Sequence, residues 1–131
     1  MQTKKILIID DDKDLTKSLK AILEEKLYLV ETANEVITGM KSLHSRTPDL
    51  LLLDVMMASD LEGQKLAHNI KSDPDYKDLP ILVITGMRDA LGVNIRDAFE
   101  GIDGLTMLDK PFETEELLSR IKEMISGTQE E

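Results

Sequence analysis

The sequence predicts an α/β fold in which helices cover both faces of a single parallel sheet. Short apolar runs recur along the 131 residues, and each is followed by a segment whose apolar residues have helical spacing. A strand that is apolar at every position is typical of a sheet buried on both faces. Strands that alternate with helices are joined by right-handed crossovers. We therefore expect five strands and five helices in a single domain.

The first half of the chain contains three predicted strands and two predicted helices. The strands are expected at residues 6–9, 28–33 and 50–53, and the second of these is the most weakly marked. The first helix has one apolar stripe, formed by Leu15, Leu19, Ile22 and Leu23. Its N-cap is expected at Asp11 or Asp12, and the second helix is expected to be capped by Asn34.

The second half continues the same alternation. A third helix is expected after Gly63 and is followed by a strand at residues 81–84. A fourth helix is expected at 89–100 and a fifth strand at 105–108. Thr114 is expected to cap the last helix, which ends before a tail at 127–131 that we expect to be frayed.

Composition and charge limit the class of function. The net charge is −10, with only two Phe, two Tyr and no Trp, so we expect no direct binding of nucleic acid. The absence of cysteine excludes a disulfide scaffold, a thiolate metal site and a cysteine nucleophile. No apolar stretch reaches the ~18 residues of a membrane span and no signal peptide is evident, so we expect a cytoplasmic protein without membrane contact.

Acidic residues follow two of the apolar runs, at the points where the predicted strands end. Asp54 comes directly after a run of leucines, and Asp10, Asp11 and Asp12 come directly after Ile9. The carboxyl ends of parallel strands meet at one edge, where open α/β sheets hold their sites. Like charges gathered there destabilise the fold unless a cation lies between them. Because Mg²⁺ and Mn²⁺ prefer oxygen ligands, we expect Asp10, Asp11 and Asp54 to form a divalent-cation site.

A hydroxyl and an amine are expected at the same edge of the sheet. Thr85 ends the fourth apolar run, and Lys110 follows the fifth. A carboxylate that attacks a phosphoryl group forms an acyl phosphate, and the reaction depends mainly on positioning and charge neutralisation. Lys110 would neutralise one phosphoryl oxygen and Thr85 would donate a hydrogen bond to another. One of these acids could thus also act as a nucleophile toward a phosphoryl group.

Four motifs at these strand ends resemble the receiver domain of two-component response regulators over nearly the whole chain. The motifs are Ile8–Asp12, Leu52–Met57, Val83–Gly86 and Lys110–Phe112. The resemblance implies a flavodoxin-like fold, which is a doubly wound five-stranded parallel sheet of order 2-1-3-4-5 flanked by five helices. It also implies a receiver domain at residues 1–126, followed by the tail at 127–131.

The resemblance assigns a role to each matching residue. Asp54 would accept the phosphoryl group, while Asp10, Asp11, Asp54 and the backbone carbonyl of Met56 would bind Mg²⁺ or Mn²⁺. Thr85 and Lys110 would contact the phosphoryl group. Asp12 is expected to be a cap or an outer-shell group rather than a ligand.

The family's mechanism implies partners and a switch. A sensor histidine kinase or a phosphotransfer protein would donate the phosphoryl group, and the domain would catalyse only its own phosphorylation and dephosphorylation. The new charge would draw Thr85 inward and alter the surface of the fourth helix, fifth strand and fifth helix. A downstream effector domain or protein would bind that surface. Nothing in the sequence fixes the oligomeric state, so a homodimer stays open.

Three features depart from the family's usual pattern. Met107 stands at the switch position where an aromatic residue is usual, and it lacks the ring and the hydroxyl. Ala58 replaces a proline after the acceptor, and the segment from Thr85 to Lys110 is longer than is typical. These departures concern the coupling to the output surface more than the chemistry at Asp54.

Two alternative functions stay open at this point. The chain could be an interaction module with the receiver fold that works without phosphorylation, and Met107 and the altered loops favour this reading. A Mg²⁺-dependent phosphatase with an aspartyl nucleophile is less consistent with the sequence. Such an enzyme usually has a second acid two residues after the nucleophile, and Met56 occupies that position here.

Overall fold

The fold is built on a five-stranded parallel sheet. The structure, a computed structural model, describes residues 3–54, 62–85, 104–109 and 111–129. The strands are β1 (Lys5–Ile9), β2 (Leu29–Ala33), β3 (Leu50–Asp54), β4 (Ile81–Thr85) and β5 (Leu105–Asp109). Their order in the sheet is β2-β1-β3-β4-β5, and all four pairings are parallel. The predicted strand order and the parallel arrangement are confirmed.

Four α-helices and one short 3₁₀ helix lie within the described ranges. The α-helices are α1 (Lys13–Glu25), α2 (Val36–Ser45), α3 (Glu62–Ser72) and α4 (Thr114–Gln129), and the 3₁₀ helix is Pro74–Tyr76. Helix α4 is the last of the five helices that the sequence predicts. The fourth predicted helix, at 89–100, falls outside the described residues. The backbone of α4 is helical as far as Gln129, and the domain boundary at residue 126 stays a prediction.

The two faces of the sheet carry separate apolar cores because side chains alternate along each strand. Leu51 and Leu53 face one side, where they pack with residues of α2 and α3. Leu50 and Leu52 face the other side, where they pack with residues of α1 and α4. Every residue of β3 is buried, which confirms that the leucine run is a strand covered on both faces.

The starts of α1 and α2 differ from each other in how they are capped. Asp12 caps α1, and its Oδ1 accepts a hydrogen bond from the Leu15 N–H at 3.0 Å. The predicted cap of α2 was wrong, because the N-cap is Glu35, without a side-chain hydrogen bond, rather than Asn34. The helix begins at Val36, one residue later than a cap at Asn34 requires, and the Asn34 side chain is directed toward the end of β1, where its Nδ2 donates to the backbone carbonyl of Asp10.

Candidate functional site

Three carboxylates come together at the carboxyl edge of the sheet. The β1–β3 register pairs Ile9 with Leu53, so the ends of these two strands lie side by side. One oxygen from each of Asp10, Asp11 and Asp54 lies within 4.8 Å of the others. The predicted convergence of these side chains is therefore observed.

The carboxylates of this cluster differ in exposure. Asp10 is 0% exposed and Asp54 is 6% exposed, whereas Asp11 is exposed. Charges that are shielded from water interact more strongly with their neighbours than surface charges do. Asp11 is therefore the solvent-exposed member of the cluster, and the charges of Asp10 and Asp54 are the more strongly shielded from water.

Hydrogen bonds hold the segment that carries Asp10 and Asp11. The N–H of Asp10 donates to the carbonyl of Ala33 at 3.0 Å, which extends the contact between β1 and β2. The N–H of Asp12 donates to Oδ1 of Asp10 at 2.9 Å. Asn34 Nδ2 donates to the carbonyl of Asp10 at 2.7 Å. The turn out of β1 is thus tied to β2, to the start of α2 and to its own side chains.

The chemistry of the three donors fits a hard divalent cation. Each residue offers a carboxylate oxygen, and hard cations such as Mg²⁺ bind oxygen ligands and retain several waters. Like-charged groups at this spacing repel one another, and a dication between them converts the repulsion into attraction. The donor set therefore fits Mg²⁺ or Mn²⁺.

Thr85 lies at the same edge of the sheet as the acidic cluster. The β3–β4 register pairs Asp54 with Ile84, so Thr85 is the next residue along β4. Its side chain is outside the described part of the chain, and so are Lys110, Met56 and Ala58. Strand β5 ends at Asp109, which is paired with Thr85 and directly precedes Lys110 in the sequence. The roles of Thr85, Lys110 and Met56 stay predictions.

Met107 lies in β5 and is partly buried. It is paired with Val83 and packs against the apolar core on the side of α2 and α3. A flexible thioether fills this space without a hydroxyl that could reach solvent or a partner. Its role in switching stays a prediction.

Sequence reasoning missed two residues next to the acidic cluster. Asn34 was assigned to a helix cap, and Thr16 was not singled out. Asn34 Nδ2 contacts both the carbonyl of Asp10 and Oγ1 of Thr16, at 2.7 Å and 3.3 Å. The available signal was that Asn34 directly follows Ala33, the last residue of β2, just as Asp10 directly follows Ile9, the last residue of β1.

Comparison with known proteins identifies a family and several relatives that are similar to this chain in sequence. Residues 6–122 match the family described as the response regulator receiver domain. The response regulator MprA of Mycobacterium ulcerans is 37% identical over 124 residues, covering 95% of this chain and 51% of that protein. MprA of Mycobacterium leprae is 38% identical over 124 residues, covering 95% of this chain and 52% of that protein. The chain thus spans about half the length of these curated relatives.

Solved structures of similar fold include two that cover most of both chains. The signal receiver domain of a histidine kinase from Syntrophus aciditrophicus has a TM-score of 0.83 and 29% identity, covering 95% of this chain and 92% of that one. A response regulator receiver domain protein from Methanospirillum hungatei has a TM-score of 0.79 and 29% identity, covering 98% of each chain. In the described ranges, none of the helices combines the length and apolarity needed to cross a membrane.

Proposed function

Because this chain belongs to the response regulator receiver family of two-component signalling, we propose that Asp54 is its phospho-acceptor. The donor in this proposal is the phosphohistidine of a sensor histidine kinase or a phosphotransfer protein. The observation that carries the proposal is the gathering of Asp10, Asp11 and Asp54 at the carboxyl edge of the sheet. Asp54 ends the buried strand β3, where its backbone is paired with Ile84 of β4 and the preceding Leu53 is paired with Ile9 of β1.

The proposed reaction transfers one phosphoryl group between two side chains. A carboxylate oxygen of Asp54 attacks phosphorus, the phosphorus–nitrogen bond of the phosphohistidine breaks, and its electron pair returns to the imidazole. The product is an acyl phosphate on Asp54 and a free histidine on the donor. Attack by water later releases inorganic phosphate and restores the carboxylate. The domain therefore acts only on itself and does not turn over a separate substrate.

The residues around Asp54 have distinct tasks in this proposal. Asp10, Asp11, Asp54 and the carbonyl of Met56 would hold Mg²⁺ or Mn²⁺, which would supply charge neutralisation for the transferred oxygens. Lys110 would pair with one phosphoryl oxygen as a point charge, and the hydroxyl of Thr85 would donate to another. The buried position of Asp10 strengthens these electrostatic interactions.

The proposed output is a change at the surface formed by the predicted helix at 89–100, strand β5 and helix α4. An added phosphoryl group brings charge and acceptor oxygens that bias a two-state element. Thr85 and Met107 would carry the change from the site toward that surface. The partner in this proposal is an effector domain or protein, and the protein would act in the cytoplasm.

The direct test is phosphorylation by a small donor. Purified protein is incubated with acetyl phosphate and Mg²⁺, and its intact mass is measured. We expect one added phosphoryl group on the wild type, none on Asp54→Asn, and none when EDTA replaces Mg²⁺. Asp75→Asn removes a carboxylate at an exposed position away from the cluster, and this control should be modified like the wild type. Equal modification of Asp54→Asn and the wild type would exclude Asp54 as the acceptor.

A second candidate function is a receiver-fold interaction module that works without phosphate. Met107 favours it, because this partly buried position lacks the aromatic side chain that is usual in the family. A partner that binds the wild type and Asp54→Ala with the same affinity, with or without acetyl phosphate, would support this function. A partner that discriminates between them would support the phosphorylation switch.

A further inference from the structure

We infer that Asn34 is a positioning residue for the acidic cluster and acts through the backbone carbonyl of Asp10. The inference rests on the proposed function, since it concerns how Asp10 and Asp11 are held for binding Mg²⁺. Asn34 lies between β2 and α2 and belongs to neither element. Its side chain is nevertheless the link between that connection and the end of β1.

The hydrogen bond from the Asn34 side chain lies directly beyond the last backbone hydrogen bond between β1 and β2. The register pairs Ile9 with Ala33, and the N–H of Asp10 donates to the carbonyl of Ala33 at 3.0 Å. Beyond this bond the two chains diverge into α1 and α2. Asn34 Nδ2 then donates to the carbonyl of Asp10 at 2.7 Å, so a side chain replaces the next backbone donor of the ladder.

The same amide group also contacts the first turn of α1. Asn34 Nδ2 lies 3.3 Å from Oγ1 of Thr16, a residue that is only 4% exposed. The hydroxyl of Thr16 donates to the carbonyl of Lys13 at 3.0 Å, which fixes the orientation of its lone pairs. Asn34 therefore connects the two elements between which Asp10 and Asp11 lie, and it does so with one nitrogen.

Fixing the carbonyl of Asp10 fixes the peptide plane that leads into Asp11. The carbonyl belongs to the planar peptide unit between Asp10 and Asp11, so its direction sets the position of the next Cα atom. Asp11 is exposed, and packing around its side chain is correspondingly limited. On the far side, the N–H of Asp12 donates to Oδ1 of Asp10 at 2.9 Å. The Asn34 bond therefore restrains the backbone from which the Asp11 carboxylate projects.

The expected size of the effect follows from the behaviour of groups that orient metal ligands. Removal of such a partner typically weakens metal binding by about 10- to 100-fold. Asn34 contacts a ligand residue through its backbone rather than through its carboxylate, so we expect the lower end of this range. Asn34→Leu preserves the shape of the side chain and removes the donor. We expect it to weaken Mg²⁺ binding about 10-fold.

The test measures Mg²⁺ binding by calorimetry and amide hydrogen exchange by NMR, without any phosphodonor. The variants are Asn34→Leu and the control Asn69→Leu, which makes the same change at an exposed position on α3. Asn34→Leu should bind Mg²⁺ about 10-fold more weakly than the wild type, whereas Asn69→Leu should match it. The amides of Asp11 and Asp12 should exchange faster in metal-free Asn34→Leu. If Asn34→Leu does not fold, the same measurements are made on Asn34→Ala, which removes the same donor.

The outcomes separate this inference from the function on which it rests. If the wild type does not bind Mg²⁺, the result contradicts the proposed function itself and not only the role of Asn34. If the wild type binds and the Asn34 variants bind equally well, then Asn34 does not position the cluster, even where their stability is lower. Weaker binding together with faster exchange at Asp11 and Asp12 supports the positioning role, because a general loss of stability would not single out these two amides.

Discussion

At the scale of residues, the link between Lys5, Glu31 and Ser42 joins the first strand to the second strand and to α2. Lys5 Nζ lies 2.8 Å from Oε1 of Glu31, and the hydroxyl of Ser42 donates to Oε2 of Glu31 at 3.0 Å. The hydrogen bond from Lys5 is the main reason why the pKa of Glu31 lies below the ordinary value of a glutamate, and the bond from Ser42 acts in the same direction. The charged form of Glu31 therefore stabilises the folded state.

This lowered pKa predicts a stability difference that depends on pH. A carboxylate whose pKa is lower in the folded state stabilises the protein above its unfolded pKa, and this contribution is lost as the pH falls through the folded pKa. Glu31→Gln should therefore lower the free energy of unfolding at pH 7. The loss should be modest, about 0.5–1 kcal/mol, because the side chain of Glu31 is 44% exposed and water screens the pair.

The measurement is urea denaturation of the wild type and Glu31→Gln over a series of pH values. The difference between them should shrink as the pH falls below about 4.3, where a free glutamate becomes neutral. Glu123→Gln, which changes an exposed glutamate in the interior of α4, is the charge-matched control. A difference for Glu31→Gln that stays constant down to strongly acidic pH would contradict the assigned ionic interaction.

The residues of the acidic cluster were predictable for a reason that does not extend to Asn34. Asp54 follows an uninterrupted apolar run, and only a chain that leaves the core tolerates a carboxylate there. Asn34 follows a weaker strand, and an asparagine before a helix is as typical of a cap as of a tertiary contact. The sequence does not show that residue 34 lies beside residue 10, because that proximity depends on the pairing of β1 with β2.

At the scale of elements, one lysine fixes the connection between α3 and β4. Lys71 Nζ donates to the backbone carbonyls of Lys77 and Leu79, at 2.6 Å and 2.9 Å. A β-carbon at Gly104 would lie 3.2 Å from this amine, and the φ angle of Gly104 is +78°, which favours glycine. The connections that lead into β4 and β5 thus meet around one ammonium group.

Replacement of this lysine should destabilise the fold without affecting the acidic cluster. Lys71→Met keeps most of the aliphatic stem but removes two charge-assisted hydrogen bonds, and one of the acceptors belongs to the buried residue Leu79. We expect the free energy of unfolding to fall by about 1–2 kcal/mol. Denaturation by guanidinium chloride measures the loss. Lys41→Met, at an exposed position on α2, should change stability by less than about 0.5 kcal/mol. Equal stability of both variants would refute the proposed role of Lys71.

The sequence predicts the elements well wherever one periodicity dominates. The fully apolar runs became β1, β3 and β4, and the amphipathic stripe after Asp12 became α1. The cap of α2 was predicted wrongly, because a local pattern does not reveal that the Asn34 side chain is directed toward the end of β1. The connection through Lys71 was not foreseen for a similar reason, since a lysine near a helix end usually lies in solvent.

At the scale of the whole molecule, the strand order determines where the acids meet. Strands β1 and β3 are neighbours although α1, β2 and α2 separate them in the sequence. Their adjacency brings Asp10 and Asp11 to the end of the strand that carries Asp54. The alternation of elements predicts a parallel sheet, but several strand orders are compatible with it. The order 2-1-3-4-5 was predicted from the family resemblance alone.

A protein with a net charge of −10 and three clustered carboxylates should gain stability from Mg²⁺. A ligand at 100 times its Kd stabilises the folded state by about 2.7 kcal/mol. Asp11→Asn should lose most of this gain. In EDTA the same variant should be more stable than the wild type by about 0.5 kcal/mol, because one repulsive charge is removed.

Thermal or chemical denaturation with Mg²⁺ and with EDTA measures both effects, at matched ionic strength. Asp14→Asn is the control, because Asp14 lies in the first turn of α1, where a negative charge is favourable. That variant should keep the full gain from Mg²⁺ and should be slightly less stable than the wild type in EDTA. If Asp11→Asn gained as much from Mg²⁺ as the wild type does, Asp11 would not be a ligand.

The most direct test of the central claim identifies the residue that carries the phosphoryl group. Protein treated with acetyl phosphate and Mg²⁺ is reduced with borohydride, which converts an aspartyl phosphate to homoserine, and the peptides are sequenced by mass spectrometry. We predict homoserine at position 54 and unmodified aspartate at positions 10 and 11. Homoserine at another aspartate, or no homoserine in protein whose intact mass shows a phosphoryl group, would contradict the assignment of Asp54.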